Sequence, residues 1–281
     1  MALPHYGDDR RNDPLAWWAP RGVDVSVPHS ARVYDWWLGG KDNFEADRAL
    51  GELFIQTIPT IRDMARENRD FVGRAVRYLA AQSGVRQFLD IGTGIPTSPN
   101  LHEVAQQATP DARVVYVDND PIVLTHARAL LTSGNVGATE YVDADLREPE
   151  KILNHPGVMG TLDLRQPVGV TLIAVLMLLE DADDPAGLVH RLLDPLPSGS
   201  YVALTHPGRD FDPEAMAKLT DFARQGHITL VPRVKAQVAE FFGGWEMIEP
   251  GLVPVAAWRP DGPPPSDTNT AFYWSGVARK P

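Results

Sequence analysis

The sequence predicts an α/β protein in which a mainly parallel sheet is flanked by helices and preceded by a helical N-terminal extension. From Val85 onward, short apolar runs rich in β-branched residues alternate with helical stretches, which is the pattern of βαβ units. The first of these runs leads into a glycine turn, Gly92-Thr93-Gly94. Before Val85, apolar residues recur only with helical spacing. The 281 residues are 43% hydrophobic, which is enough for one large domain with an extension.

The composition narrows the classes of protein that the chain can represent. No apolar run approaches the roughly 20 residues that span a bilayer. The first residues lack the layout of a signal peptide and the chain has no cysteine, so we expect a cytoplasmic protein without a membrane anchor. A net charge of −11 makes a nucleic-acid partner unlikely unless a local basic patch overrides it. The eight histidines form no ligand cluster, so no metal is expected.

The chain divides into three expected regions. Residues 1–27 show no periodicity and are read as an irregular arm, residues 28–83 as a helical segment that forms a lid and the acceptor side, and residues 84–281 as the α/β domain. Within the helical segment, the spacing predicts helices over Pro28–Leu38, ended by Gly39-Gly40, and over Phe44–Ile58. A third helix is predicted from a Thr60 cap to about Gln82.

Seven strands are expected in the α/β domain, interleaved with helices and with one exposed proline-rich loop. The strands are predicted at Val85–Leu89, Arg113–Asp118, near Thr139–Val142, at Val168–Ala174 and Tyr201–Thr205, and near Glu246–Leu252 and Ala271–Ala278. The helices are predicted to begin near Ser98-Pro99-Asn100, to run from Pro121 to about Leu131, and to run from Pro185 to Leu193, with the loop at Arg259–Ser266.

Acidic residues follow three successive predicted strands, at Asp90, Asp118 and Asp145. The carboxyl ends of parallel strands form the edge at which an open α/β sheet binds its ligand. An acid after the second strand can accept hydrogen bonds from both hydroxyls of a ribose, and an acid after the third can meet an adenine edge. We therefore expect an adenosine-containing ligand beside the glycine turn.

Charge decides among the adenosine ligands. NAD and ATP carry phosphates, yet the stretch from Ile91 to Leu101 has no basic residue, the Walker lysine is absent, and Thr97 replaces the third glycine of a dinucleotide fingerprint. S-adenosylmethionine has no phosphate and is cationic at its sulfonium and ammonium. A crevice lined by acids favours that cation. The acids expected there are Asp90, Asp118, Asp120, Asp143 and Asp145.

The same stretches resemble the successive motifs of class I S-adenosylmethionine-dependent methyltransferases, which are built on a Rossmann-like sheet. The matching segments are Phe88–Thr97, Val114–Pro121, Ala144–Leu146 and Leu196–Ser200. More narrowly, the chain resembles an actinobacterial methyltransferase-like family, formerly a domain of unknown function. That resemblance rests on Pro28–Asp35, Leu38–Phe44 and Arg66–Arg69. Met177 departs from it, since family members often carry His at this position.

The resemblance implies a seven-stranded sheet whose last strand is antiparallel, with S-adenosylmethionine as cofactor. Gly92, Thr93 and Gly94 would contact the methionine moiety, with Asp90 and Leu146 also in the donor site. Asp118 would bind the ribose hydroxyls, Asn119 would lie beside the adenine, and Asp145 would meet the adenine amino group.

The chemistry of the acceptor side is less defined by the sequence. Methyl transfer is an in-line displacement at an activated carbon, so a general base is needed only if the acceptor loses a proton. The candidate bases are Tyr34, Asp35 and His206. Alternatively, Tyr34 is a lid residue that packs over the donor, and His206 has a structural role. Lys41, Asn43, Arg66 and Asn68 are candidates for an acceptor pocket. Alternatively, Arg62, Arg66 and Arg69 form a solvated helix face paired with neighbouring acids.

Four functional hypotheses remain open at this stage. The favoured one is a methyltransferase acting on a small molecule. A second is a binding protein that senses S-adenosylmethionine or S-adenosylhomocysteine without turnover. A third is a methyltransferase for a protein or nucleic acid, and an outside alternative is a nicotinamide oxidoreductase, which Thr97 and the acids disfavour. The pattern leaves the oligomeric state undetermined.

Overall fold

The computed structural model describes residues 23–123, 125, 136–263 and 265–281. Its centre is a sheet with strand order β3-β2-β1-β4-β5-β8-β6, in which β7 also pairs with β8. Strands β1 to β5 are parallel to one another, and β8 runs antiparallel to β5. The strands are β1 Gln87–Ile91, β2 Arg113–Asp118, β3 Ala138–Asp143, β4 Gly169–Ile173, β5 Tyr201–Pro207, β6 Glu246–Met247, β7 Val253–Pro254 and β8 Tyr273–Arg279.

The helices lie on both faces of this sheet and before it in the chain. They are α1 Ser30–Leu38, α2 Glu45–Thr57, α3 Ile61–Arg77, α4 Leu101–Ala108, α5 Pro149–Leu153, α6 Pro156–Thr161, α7 Pro185–Leu193, α8 Pro213–Gln225 and α9 Lys235–Glu240. A further helix begins at Pro121. Helix α3 continues into a π-helical turn, Tyr78–Gln82. None of the helices in the described ranges has the length and apolarity needed to span a bilayer.

Two hydrophobic cores form because successive strand residues face opposite sides of the sheet. In β1, Phe88 belongs to the core shared with α3 and α4, whereas Leu89 belongs to the core shared with α7 and α9. Both side chains are fully buried. The first core also contains residues of α1, α2 and α8. The N-terminal helices are therefore packed into the same core as one face of the sheet.

Helix α3 is the element that joins the N-terminal helices to the sheet. Phe71 and Leu79 are fully buried in the first core. On the same helix, Arg74 donates from Nε to the carbonyl of Trp258 (3.0 Å) and from Nη2 to that of Val255 (2.8 Å). Helix α1 packs on α2, and α2 packs on α8. This arrangement places α1 and α2 next to the carboxyl edge of the sheet.

The predicted elements largely agree with the structure. The bounds of β2 and α7 are confirmed, as is the antiparallel last strand. The strand predicted near Glu246–Leu252 is instead two short strands, β6 and β7, which bring the sheet to eight strands. Asp90 lies inside β1 rather than after it. Thr60 stands at the N-cap position of α3 as predicted, but its side chain makes no capping hydrogen bond. Residues 1–22 and most of the helix predicted after Pro121 lie outside the described residues.

Candidate functional site

A cavity of about 240 Å³ lies at the carboxyl edge of the sheet. The strand order changes direction between β1 and β4, and this switch point is where open α/β sheets bind ligands. The turn after β1 and the segments after β2 and β3 form one part of the cavity wall. The rest is formed by helices α1 to α3, helix α8, the loop after β4, residues 228–230, the end of β5 and the start of β8.

The turn after β1 brings bare backbone to this cavity. Gly92 and Gly94 have φ values of +68° and +66°, which favour glycine. A Cβ atom on Gly92 would lie 2.3 Å from a methyl carbon of Val175, whereas one on Gly94 would meet nothing within 4 Å. Gly94 donates its N–H to Asp118 Oδ2 over 2.8 Å. The turn is thus tied to the end of β2 and leaves open space at Gly94.

Asp90 is buried beneath this turn. Its carboxylate accepts hydrogen bonds from Thr93 (2.6 Å) and from the Thr171 hydroxyl of β4. Burial raises the pKa of Asp90, although both hydroxyls oppose the shift. A cation that approaches the cavity would favour the ionised form of this carboxyl.

Asp118 ends β2 and Asp145 follows β3, so the two acids lie on adjacent strands. Burial raises the pKa of Asp118, against the backbone N–H groups of Asp120 and Gly94 that donate to it. Asp145 Oδ2 accepts from Asn119 Nδ2 over 3.0 Å. Asp90, Asp118, Asn119, Asp145 and Leu146 all line the cavity together with the Gly92-Thr93-Gly94 turn. The structure therefore brings together the eight residues that the family resemblance assigns to the donor site.

Two of the five expected acids do not line the cavity. Asp120 is buried, and its carboxylate lies 2.9 Å from Nδ1 of His29. Asp143 is exposed at the end of β3. The acidic wall is therefore made by Asp90, Asp118 and Asp145, while Asp120 holds the start of α1.

Tyr34 and Asn68 meet where α1 crosses α3, and both line the cavity. The Tyr34 hydroxyl donates to the carbonyl of Ala65 (2.9 Å), and Asn68 Nδ2 donates to the Tyr34 oxygen (2.9 Å). Burial raises the pKa of Tyr34 to about 12, against the hydrogen bond from Asn68. Tyr34 is therefore a neutral phenol at physiological pH, which disfavours it as a base.

The remaining candidates from the sequence are spread over several places. Asp35 lines the cavity, and its carboxylate accepts from Asn43 Nδ2 (2.7 Å) and from the backbone of Asp42 (2.9 Å). Asn43 is buried in the turn between α1 and α2 and does not line the cavity. Lys41 and Arg66 are exposed and also lie outside its wall, and Arg66 pairs with Asp63 (2.7 Å).

His206 is fully buried in β5 and does not line the cavity. Its Nε2 lies 3.0 Å from the carbonyl of Val231. Burial, reinforced by the charge of Arg233, lowers its pKa to about 3. These contacts are typical of a neutral structural histidine rather than a base with access to a substrate.

The sequence did not single out Arg69 as a member of the donor site. Its Nη2 donates to the carbonyls of Thr97 (2.6 Å) and Pro99 (3.0 Å), and it lines the cavity close to the turn after β1. Arg66, three residues earlier on the same helix, is exposed. The signal that separates them is the spacing of Arg69 from the buried residues Ala65 and Val72, which also line the cavity.

An apolar wall was also missed. It consists of Leu50, Phe54, Ile61, Met64, Met216, Leu219, Ala223, Ile228 and Leu230. These residues come from α2, α3, α8 and the segment after α8, which the sequence order does not bring together. Met177, the departure from the family pattern, lines the cavity as well. Within the described ranges, no group of acids and histidines could hold a metal ion.

A parallel sheet with an antiparallel last strand, and a cavity with a glycine turn and three strand-edge acids, define the class of S-adenosylmethionine-dependent methyltransferases. The chain belongs to the S-adenosyl methyltransferase family, whose model matches residues 16–281. Its cofactor is S-adenosylmethionine. The resemblance noted in the sequence is thereby confirmed.

Two solved structures are similar to most of this chain. A DUF574 family protein from Streptomyces avermitilis MA-4680 is 46% identical, with a TM-score of 0.89 over 92% of this chain and 99% of that one. A predicted methyltransferase from Thermobifida fusca YX is 43% identical, with a TM-score of 0.85 over 94% of this chain and 98% of that one. The shared fold therefore extends over nearly the whole of all three proteins.

Proposed function

We propose that the cavity at the switch point binds S-adenosylmethionine against its acidic wall and a small-molecule acceptor against its apolar wall. The observation that carries this proposal is the contact between Gly94 and Asp118. It places a glycine with open space above it beside a strand-end carboxylate. A ribose can donate to that carboxylate while the chain of the methionine part passes over the glycine.

The charges around the turn fit this ligand. Three carboxylates, Asp90, Asp118 and Asp145, face a molecule that carries a sulfonium and an ammonium group. Each oxygen of Asp118 accepts one backbone N–H, and a second lone pair on each oxygen remains for a ribose hydroxyl. Arg69 lines the cavity and is held by the carbonyls of Thr97 and Pro99, and we assign it to the carboxylate of the methionine part. Asn119 and Asp145 are assigned to the adenine.

Bound S-adenosylmethionine supplies a methyl group already activated by a positive sulfur. The chain then has to align the acceptor in line with the methyl carbon and exclude water. Tyr34 and His206 are poor bases because one is a neutral phenol and the other is buried away from the cavity. We therefore assign Tyr34 to the lid and His206 to the fold. Asp35, held by the turn between α1 and α2, is assigned to shaping that turn.

We infer that residues 28–83 cover the donor and form the acceptor side, with α3 also serving as part of the fold. The support is that α1, α2 and the first half of α3 contribute to the cavity wall opposite the sheet edge. A cavity of about 240 Å³ suits a small acceptor better than a folded macromolecule.

Calorimetric titration tests the donor site. We expect S-adenosylmethionine and S-adenosylhomocysteine to bind the wild type and NAD not to bind. Asp118→Ala should weaken the binding of both ligands by about 100-fold, because two hydrogen bonds to a charged group are lost. Asp143→Ala is the matched control, since Asp143 ends the adjacent strand but lies outside the wall. Binding of NAD alone, or equal effects of the two substitutions, would overturn the assignment.

A further inference from the structure

The amide of Asn68 has its orientation fixed by its neighbours. The Tyr34 hydroxyl has a single proton and donates it to the carbonyl of Ala65. The Tyr34 oxygen can then only accept, so the Asn68 atom that faces it has to be Nδ2. Asn68 Oδ1 is left as a buried acceptor with no hydrogen-bond partner in the described part of the chain. Asn68 itself is only 1% exposed.

Asn68 lies at the border between the two parts of the cavity. Met64 and Val72 line the cavity one helical turn to either side of it, and Met64 belongs to the apolar wall. Arg69, the next residue, is bonded to the turn after β1. An atom held by Asn68 would therefore be close to the donor turn while the body of its molecule extended along the apolar wall.

The apolar wall carries no charge. Its members are aliphatic, aromatic or thioether side chains from α2, α3, α8 and residues 228–230. The polar side chains that line the cavity around α1 and at the start of β8 are those of His29, Ser30, Tyr34, Asp35 and Tyr273. The Asp35 carboxylate is held by Asn43 and by the backbone of Asp42, and burial raises the pKa values of Tyr34 and Tyr273. An anionic or doubly charged acceptor would lose its hydration here without a counter-ion.

We propose that the acceptor is a neutral, largely apolar small molecule that carries one N–H or O–H group, and that this group donates to Asn68 Oδ1. An unpaired buried acceptor is unfavourable, and a ligand that supplies the missing donor gains from pairing it. Asn68 is thus a residue that positions the acceptor and determines its specificity. This inference rests on the proposed function, because it assumes that the acidic part of the cavity holds the methyl donor.

The test uses three naphthalene probes with the same ring system. These are 2-naphthol, which is neutral and has a donor; 2-methoxynaphthalene, which lacks the donor; and 2-naphthoate, which is an anion. Each is titrated by calorimetry into the protein saturated with S-adenosylhomocysteine. The variants are Asn68→Leu, which keeps the side-chain volume but removes the acceptor, and Arg66→Leu as a control on the exposed side of the same helix. Circular dichroism and the affinity for S-adenosylhomocysteine are measured for each variant.

We expect 2-naphthol to bind the wild type about tenfold more tightly than 2-methoxynaphthalene, the preference that one buried hydrogen bond supplies. 2-Naphthoate should bind most weakly. Asn68→Leu should remove the preference for 2-naphthol and leave the affinity for S-adenosylhomocysteine within about twofold, while Arg66→Leu should change neither. If Asn68→Leu does not fold, Tyr34→Phe provides a second variant. It frees the amide to rotate and should reduce the preference without removing it.

Several results would overturn the inference. They are equal binding of the naphthol and its methyl ether to the wild type, tightest binding of the naphthoate, and no binding of any probe. If Asn68→Leu weakens the binding of S-adenosylhomocysteine instead of the binding of 2-naphthol, Asn68 belongs to the donor site. Failure of the wild type to bind S-adenosylhomocysteine at all would instead refute the donor site, and with it the premise of the inference.

Discussion

Nδ1 of His29 lies 2.9 Å from the carboxylate of Asp120, which ties the start of α1 to the turn that follows β2. The backbone N–H of His29 also donates to Asp47 of α2 (2.8 Å). Asp118, two residues before Asp120, faces the cavity. The pair therefore connects the N-terminal helices to the strand end that we assign to the ribose.

The contribution of Asp120 to stability should depend on pH in the acid range. Burial raises the pKa of Asp120, but the hydrogen bond and charge of His29 and the N–H of Ile122 lower it by more, so that the net pKa is depressed. A carboxyl group whose pKa is lower in the folded than in the unfolded state stabilises the fold at pH values above its unfolded-state pKa. This contribution is lost as the pH falls through the folded-state pKa. Asp120→Asn should therefore lower the free energy of unfolding at pH 5, and the difference should shrink toward pH 2.

Urea unfolding of wild type and Asp120→Asn between pH 2 and pH 5 measures this dependence. Asp221→Asn serves as the control, because Asp221 is an exposed carboxylate on α8 that pairs with its helical neighbour Arg224. A difference that stayed constant across the range would show that the carboxylate of Asp120 is not stabilised by its charge.

Gly92 and Gly94 should respond differently to alanine. Gly92→Ala places a methyl 2.3 Å from Val175 in addition to the strain of a positive φ, so we expect a loss of about 3 kcal/mol in the free energy of unfolding. Gly94→Ala adds only the backbone strain, about 1 kcal/mol. Its methyl would project into the open space at the turn and should abolish binding of S-adenosylmethionine. Urea unfolding and calorimetry separate the two effects, and equal stability losses would contradict the geometry.

Arg233 should position the loop after β4. Its guanidinium is buried and donates to the carbonyls of Leu176 and Leu179 (3.0 Å each) and to Asp181 (2.8 Å). Arg233→Met would leave the Leu179 carbonyl without its donor and remove one of the two donors to the Leu176 carbonyl, so we expect a loss of about 2 kcal/mol in stability. Binding of S-adenosylhomocysteine should also weaken, because this loop carries cavity-lining residues such as Met177. Arg209→Met, at an exposed position, should change neither quantity.

Ala174 should gain stability on replacement by glycine. It follows β4 with a φ of +51°, a conformation that is unfavourable for a residue with a Cβ atom. Ala174→Gly should relieve this strain, and after the entropy of glycine in the unfolded chain is subtracted, a gain of about 0.5 kcal/mol is expected. The control is Ala203→Gly in the middle of β5, which should destabilise the protein. A loss of stability at both positions would contradict the assigned strain.

Local sequence signals predicted the elements, and they failed where distant contacts decide the outcome. β2 and α7 have clear boundaries in the sequence, a strand-end acid and a first-turn proline, and both bounds are confirmed. β6 and β7 are only two residues long, and each exists because it pairs with β8. No local pattern could specify such pairing.

Dependence on distant contacts also decides which residues of the site could be predicted from the sequence. The acids and glycines of the donor site lie at or just after the carboxyl ends of strands, so the topology of the sheet alone brings them together. The apolar wall depends on how α2 packs against α8, and the role of Arg69 depends on how α3 lies against the turn after β1. Arg69 shares a helical face with the buried residues Ala65 and Val72 and Arg66 does not, but the packing of α3 is needed to show that this face meets the cavity.

The contacts of Arg74 with Val255 and Trp258 have a consequence for synthesis of the protein. They join residues separated by 181 and 184 positions in the chain. A ribosome that adds roughly 5–20 residues per second exposes α3 for about ten seconds or longer before these partners emerge. During that time Phe71, which packs edge-on against Trp258 in the finished protein, has no ring to cover it. The nascent chain should therefore depend on chaperones to avoid aggregation during this interval.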